Sequence, residues 1–290
     1  MKRSGFTIVE LLVCITVIGV VMSIALPAIH SAREAARQTQ CRKNMKELGT
    51  AAHGFHTTYG TFPEDGHRFR DLLPYLEQQN LHDLMTSSDD LLPPGKGAVT
   101  SYICPSGIDK ASHYEVSYSA NDGTMYEGYR VDHRGSVANG MAAKYHHQRD
   151  SGVRIRDVYD GTSNTTLFCE RKPGIAGDPL VDVQVPVDAD PSTIGQLAMQ
   201  DIATRNRRAA NAFPFHLVMQ DSYLHIVPPS TVDGQFSLGS FEVFYGLQAA
   251  RGYHNKVANS TLVDGSVRTI TPTIDLQVWQ QLGSRDSRIK

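Results

Sequence analysis

Residues 11–29 are apolar except for Thr16, Ser23 and the thiol of Cys14. At about 1.5 Å of rise per residue, a helix over this run matches the roughly 30 Å hydrocarbon core of a bilayer. A membrane-spanning segment is therefore expected over about residues 8–29. The pattern then changes. Residues 31–37 are rich in strong helix formers, and Met45, Leu48, Ala52, Phe55 and Tyr59 recur at spacings of 3, 4, 3 and 4. That is one apolar face of an amphipathic helix. A single long helix over residues 6–56 is expected, its first half facing lipid or other copies of the chain. Its second half lays the stripe on a globular domain. Pro27 removes one helical hydrogen bond and predicts a kink or loosening there, while Gly54, Gly60 and Pro63 mark where the helix frays and stops.

Beyond residue 56 the pattern shortens into brief apolar runs separated by turn residues. Residues 260–263 and 266–270 are β-branched runs joined by Asp264-Gly265, the pair favoured in a two-residue type I′ turn. A carboxyl-terminal hairpin over about residues 257–271 follows. Asp160-Gly161 with Thr162, Ser163 and Asn164 predicts another turn, whose short side chains bond local backbone. Trp279 falls in a last strand or helical turn that closes the core. The 24 Gly and 14 Pro among 290 residues fit a loop-rich, strand-containing domain. The fold class is α+β, with a long amino-terminal helix packed on a β-rich ectodomain over residues 57–290.

Composition narrows the chemistry. Net charge is -2 and no Lys/Arg block stands clear of balancing acids, which excludes a nucleic-acid binder on electrostatic grounds. Four cysteines are too few for a disulfide scaffold. Cys14 falls in the apolar segment, Cys41 on the same helix beyond it, and Cys104 and Cys169 in the ectodomain. In an oxidising compartment a Cys41–Cys104 bridge is expected, with buried thiols the alternative. No Cys or His spacing has a zinc pattern, so no metal is assigned. His53 and His56 share a helical face without a third ligand and read as solvated or packed. His146-His147 reads as a solvated loop. Asp178, Asp182, Asp188 and Asp190 could offer oxygen ligands to calcium, but Pro179, Pro186 and Pro191 suit an extended insertion and the EF-hand pattern is missing. No cofactor is otherwise expected.

The amino terminus reads Lys2-Arg3-Ser4-Gly5-Phe6-Thr7-Ile8-Val9-Glu10. It resembles the prepilin-type cleavage and methylation signal of type IV pilins and type II secretion pseudopilins. The resemblance implies a leader over residues 1–5, cleavage after Gly5 by prepilin peptidase, and methylation of the new amino terminus at Phe6. Glu10 becomes the fifth mature residue, where that family keeps a glutamate, and Pro27 the twenty-second. The physical logic agrees, because an ordinary secretory signal is cut after its apolar segment, whereas a cut at Gly5 leaves the anchor attached. A carboxylate in a membrane helix calls for a partner. In a bundle of identical helices that partner is the Phe6 ammonium of a neighbour, a pairing that would set register between subunits. The alternative is a Glu10 that snorkels to water in a single-pass protein.

The segments His56 to Pro63, Leu72-Leu73-Pro74-Tyr75-Leu76-Glu77-Gln78-Gln79-Asn80-Leu81, Tyr102-Ile103-Cys104-Pro105-Ser106 and Arg156-Asp157-Val158-Tyr159-Asp160-Gly161-Thr162-Ser163-Asn164-Thr165 resemble the pilin-like proteins that carry the domain called DUF1559. So does His254 followed by nine residues and then Asp264-Gly265. Two departures stand out. Asn255-Lys256-Val257 replaces the family's usual Pro-Gly-Gly, and Cys169 replaces a Gly before Glu170. Residues 172–240 show little of the family pattern.

Together these features imply a structural, non-enzymatic subunit of a pseudopilus or pilus-like filament linked to type II-like secretion. Its expected partners are prepilin peptidase, sister pilin-like subunits and the inner membrane. Lys2 and Arg3 argue for a cytoplasmic amino terminus, and the pilin resemblance implies the same orientation. Arg33, Arg37, Arg42, Lys43 and Lys46 beyond the anchor oppose export on a simple charge count, but large domains translocate largely regardless of charge. The ectodomain is then periplasmic or extracellular. The rival reading is a membrane-anchored periplasmic binding or enzymatic domain that uses the signal only for targeting. A His254–Asp264 pair could serve such an enzyme only with a nucleophile or metal that the sequence does not identify.

Overall fold

The computed structural model describes residues 7–63, 68–87, 99–107, 116–123, 139–141, 152–171, 179–183, 207–209, 222–225, 228–229, 235–238, 245–247, 250–254 and 257–287. Helix α1 is one uninterrupted element, Ile8–Tyr59, of 52 residues and about 78 Å. It continues through Pro27 and beyond the expected end at residue 56. Thr7 caps it. The Thr7 hydroxyl accepts from Glu10 N at 3.3 Å, and Glu10 Oε2 accepts from Thr7 N at 2.8 Å and from Thr7 Oγ1 at 2.7 Å. This reciprocal arrangement satisfies otherwise orphaned groups of the first turn. At the other end Gly60 takes φ 77° and returns its N–H to His56 O at 2.7 Å, a left-handed stop that suits a residue without a Cβ.

The two halves of α1 meet different surroundings. Its large apolar residues from Ile8 to Ile29 are exposed, and an 18-residue window of α1 has mean hydropathy 2.6 with none of it buried. Farther along, Cys41, Asn44, Met45, Leu48, Gly49, Ala51 and Ala52 are buried. The expected stripe therefore holds from Met45 to Ala52, and Phe55 is half-buried against the core. Tyr59, at 64% exposed, departs from it and packs on Phe55 with ring centroids 4.5 Å apart.

Short helices α2 (Arg68–Asp71) and α3 (Gln79–Ser87) flank a 3-10 turn at Leu73–Leu76. Strands β1 (Tyr118–Gly123), β2 (Thr166–Glu170), β5 (Ser222–Leu224), β8 (Ala258–Leu262) and β9 (Val267–Ile270) form one sheet in the order β5-β1-β2-β8-β9. It is antiparallel except where β1 and β5 run parallel. A second sheet, in the order β4-β3-β6-β7, is built from β3 (Pro179–Val183), β4 (Arg207–Ala209), β6 (Gln235–Leu238) and β7 (Tyr245–Leu247). Most of it falls where no pattern was placed from sequence.

Strands β2 and β8 are buried along their whole length, as central strands under a helix should be. The main core joins Met45, Leu48 and Ala52 of α1 to Phe62, Leu72, Leu73, Tyr102, Tyr118 and Phe168. Truncating Leu48 to Ala in such a core costs about 2–5 kcal/mol. A smaller cluster gathers Cys169, Tyr223, Ala258 and Ile270 around Trp279. That tryptophan is fully buried on helix α4 (Leu276–Gly283), whose N-cap Asp275 accepts from Gln277 N and Val278 N.

The expected two-residue turn at Asp264-Gly265 is corrected. Thr261 pairs with Val267, Gly265 N donates to Leu262 O at 2.9 Å, and Leu262 N donates to Ser266 O at 2.8 Å. Only Gly265 of the turn has positive φ, at 76°, so Asp264 does not meet the type I′ requirement. The loop is the three residues Val263-Asp264-Gly265, a turn followed by a left-handed glycine. It falls inside the expected hairpin.

Candidate functional site

Four donors from distant stretches of chain converge beneath α1. Cys41 comes from the helix itself, Cys104 from the loop after the 3-10 turn Thr100–Tyr102, Glu170 from the end of β2, and His254 from an isolated bridge with Val257. Their ligand atoms all lie within 4.8 Å of one another. Cys41, Cys104 and Glu170 are wholly buried and His254 is 1% exposed.

Each member is held by a definite bond. Cys41 Sγ donates to Glu170 Oε1 at 2.7 Å and stands 3.2 Å from the Tyr118 hydroxyl. Asn259 donates to both carboxylate oxygens of Glu170, from its backbone N at 2.8 Å and its Nδ2 at 2.9 Å. His254 Nδ1 donates to Glu34 Oε1 at 2.7 Å, which turns Nε2 toward Cys104 Sγ at 3.2 Å. Glu34 uses its other oxygen on Arg37 Nη2 at 2.6 Å.

The electrostatics follow from this wiring. The neighbouring Cys41 thiol, aided by the hydrogen bond to His254, pulls the Cys104 thiol down to about 5. The same proximity of the two sulfurs pushes Cys41 up, with burial and the Glu170 charge acting in the same direction. Burial opposes charge on His254, but its bonds to Cys104 and Glu34 outweigh that and raise it to about 9. Burial likewise raises Glu170. These directions favour an ion pair between Cys104 and His254, with the Cys41 thiol donating to Glu170.

The connectivity Cys104–His254–Glu34 has the order of nucleophile, base and orienting acid. Its sulfur has no exposed surface on which a substrate could be attacked. These four side chains are instead the donors placed to hold a metal ion.

Of the residues singled out from sequence, Cys41 and Cys104 are brought together, and both are free thiols. His254 joins them. Asp264 does not, since its carboxylate accepts from Ser266 N at 2.8 Å within the turn. Gly265 and Val263 dock on α1 instead, their carbonyls meeting Lys46 Nζ and His53 Nε2, each at 2.7 Å. His56 is packed too, its Nε2 accepting from Ile155 N at 3.3 Å. Glu10 is engaged in the cap of α1. Gly5, Phe6, His146, His147, Asp178, Asp188 and Asp190 lie outside the described residues, and Asp182 falls in β3 opposite Ser237.

Glu170 and Glu34 were not picked out from sequence as site residues. Glu34 also forms a surface pair with Arg37, three residues on. Glu170 carried a usable signal, an acid ending the run Thr166-Leu167-Phe168-Cys169 that has no other charge. Thr7-Ile8-Val9-Glu10 likewise carries the capping-box spacing.

Comparison with known proteins places the chain in a family. Residues 1–26 match the prokaryotic N-terminal methylation motif. The chain is 30% identical over 78 residues to the type IV major pilin protein PilA of Myxococcus xanthus, covering 23% of this chain and 36% of that protein. It is 28% identical over 61 residues to the competence protein ComGC of Halalkalibacterium halodurans, covering 21% of this chain and 60% of that one. Both matches thus span less than two thirds of the relative. No solved structure matches the chain. Residues 30–277 match the family described as "Protein of unknown function (DUF1559)", a span that includes residues 172–240. The chain therefore belongs to the DUF1559 family, and it is pilin-like, with a prepilin-type methylation motif at its head.

Proposed function

We propose that this chain is a structural subunit, cut after Gly5 by prepilin peptidase, methylated at Phe6 and assembled into a pseudopilus or pilus-like filament linked to type II-like secretion. The observation that carries this reading is the division of α1. Its apolar half, from Ile8 to Ile29, is uncovered, while the half from Cys41 to Ala52 is locked into the ectodomain core. A helix so divided can leave the bilayer and pack against sister helices without disturbing its own domain. The amino terminus is cytoplasmic and the ectodomain periplasmic or extracellular, with the inner membrane holding the unassembled subunit.

The matches to a pilin and a competence protein support the amino-terminal part of this reading. The full burial of Cys104 and His254 supports a non-enzymatic role over an anchored enzyme. Mass spectrometry of the mature amino terminus tests the proposal. A chain beginning at methylated Phe6 is expected, with Gly5→Ala blocking processing. An intact Met1 terminus in cells with active peptidase would overturn it.

A further inference from the structure

We propose that Cys41, Cys104, Glu170 and His254 form a closed tetrahedral site for Zn²⁺ that staples the anchor helix to the ectodomain sheet. This inference is independent of filament assembly. It departs from the sequence expectation, which assigned no metal because no Cys or His pairing has zinc spacing. Only the fold brings them together.

Three observations carry it. The first is donor type and number. Thiolate sulfur, imidazole nitrogen and carboxylate oxygen are all zinc ligands, and four protein ligands leave no open position, as in structural rather than catalytic sites. The second is distance. Ligands at about 2.0–2.3 Å from a tetrahedral centre are about 3.3–3.8 Å from each other. Here Cys104 Sγ to His254 Nε2 is 3.2 Å and His254 Nε2 to Glu170 Oε1 is 3.9 Å. The Cys41 Sγ to Glu170 Oε1 contact, at 2.7 Å, lengthens once the thiol proton between them is replaced by metal. The third is the outer layer. Glu34 on His254 Nδ1 fixes the tautomer that presents Nε2, and Asn259 orients Glu170 from two donors. Such carboxylate–histidine and amide–carboxylate supports are usual around metal ligands.

Charge points the same way. Two thiolates and a carboxylate in a dry interior total three negative charges, which a dication largely compensates. Binding releases to solvent the thiol proton that now points at Glu170 and the proton between Cys104 and His254. The disulfide expected from sequence would use the same two sulfurs. It would also remove the Cys41 donor to Glu170.

The full chain, purified in detergent without chelator or reductant, gives the test. Elemental analysis should find about one zinc per chain, and both thiols should react with a thiol reagent only after chelator is added. Replacing zinc by Co²⁺ should give the intense visible and thiolate-to-metal bands of a tetrahedral site. Cys104→Ser and His254→Ala should abolish those bands, and Asp264→Asn should leave them unchanged. Glu34→Gln should keep the bands but weaken Co²⁺ affinity about 10–100-fold, as expected for a positioning residue. The wild-type cobalt spectrum does not depend on any variant folding. Free thiols that take up no Co²⁺, or a mapped Cys41–Cys104 disulfide in the chain as purified, would overturn the proposal.

Discussion

Lys46 on helix α1 donates from Nζ to the carbonyl of Gly265 at 2.7 Å, across 219 residues of chain. The neighbouring bonds make this a clamp. Thr261 Oγ1 donates to Met45 O at 3.1 Å, and His53 Nε2 meets Val263 O at 2.7 Å. Twelve residues back along the helix, His254 holds Glu34. That interval is about 18 Å of helix. The two ends of the motif His254 to Gly265 therefore grip one helix at separate places, which gives the motif a structural role without pairing its His and Asp.

Gly265→Ala should weaken this clamp. A residue with a Cβ at φ 76° costs about 1–2 kcal/mol, whereas Asn visits that region routinely. Gly265→Asn should therefore retain most of the stability lost in the alanine variant. Urea unfolding of the detergent-solubilised chain measures both, and equal losses would show that backbone strain is not the cause.

At Gly49 the helix and hairpin approach closely. A Cβ there would stand 2.9 Å from Thr261 Cγ2 and 3.5 Å from Gly265 Cα, whereas one at Gly19 would meet nothing within 4 Å. Gly49→Val should destabilise the ectodomain by about 1–3 kcal/mol through overpacking. Gly19→Ala should leave its unfolding unchanged. A Gly49→Val chain that melts like the wild type would mean that the hairpin can move away at no cost.

These contacts show what was legible from residues alone and what was not. The 3.6-residue period of Met45, Leu48 and Ala52 named the buried face of α1, because the core lies on one side of it. Tyr59 carries the same period but lies one residue before the helix cap, where that side is open. The β-branched runs around Asp264-Gly265 located the hairpin. The turn type was missed because left-handed Gly265 alone accounts for the glycine, leaving Asp264 in ordinary φ. The thiol, imidazole and carboxylate cluster could not be read from spacing. Its members come from a helix, a loop, a strand end and a bridge, and their proximity is a product of the tertiary fold.

His225 should make stability depend on pH. It is fully buried against Trp279, with ring centroids 3.9 Å apart. Its Nδ1 donates to Trp279 O and its Nε2 accepts from the Tyr223 hydroxyl, both at 2.8 Å, so the neutral ring is fully bonded. Burial lowers its pKa from 6.5 to about 3. Above 6.5 both folded and unfolded chains carry it neutral, and it adds no pH dependence. Between 6.5 and about 3 only the unfolded chain takes the proton, so stability falls as pH falls. By pH 5.5 the loss from this group should be about 1.4 kcal/mol. Denaturant midpoints at pH 7.5 and 5.5 should shift less in His225→Asn than in the wild type. Identical shifts would assign the pH dependence to other groups.

Glu10 should act in assembly as well as at the start of its own helix, and two substitutions separate these roles. Both Thr7 bonds fall on Oε2, so capping does not use Oε1, which can take the Phe6 ammonium of a neighbouring subunit. Glu10→Leu removes cap and charge together. It should leave ectodomain melting unchanged, because the residue lies far along α1 from the core, while assembled material falls and membrane-resident monomer accumulates. Glu10→Gln keeps an oxygen acceptor of the kind a capping box uses but carries no charge. If the ion pair sets subunit register, Gln should fail nearly as badly as Leu in a shear or crosslinking assay. Failure of Leu alone would make the cap the essential feature. Wild-type assembly by both would show that neither the cap nor the ion pair sets subunit register.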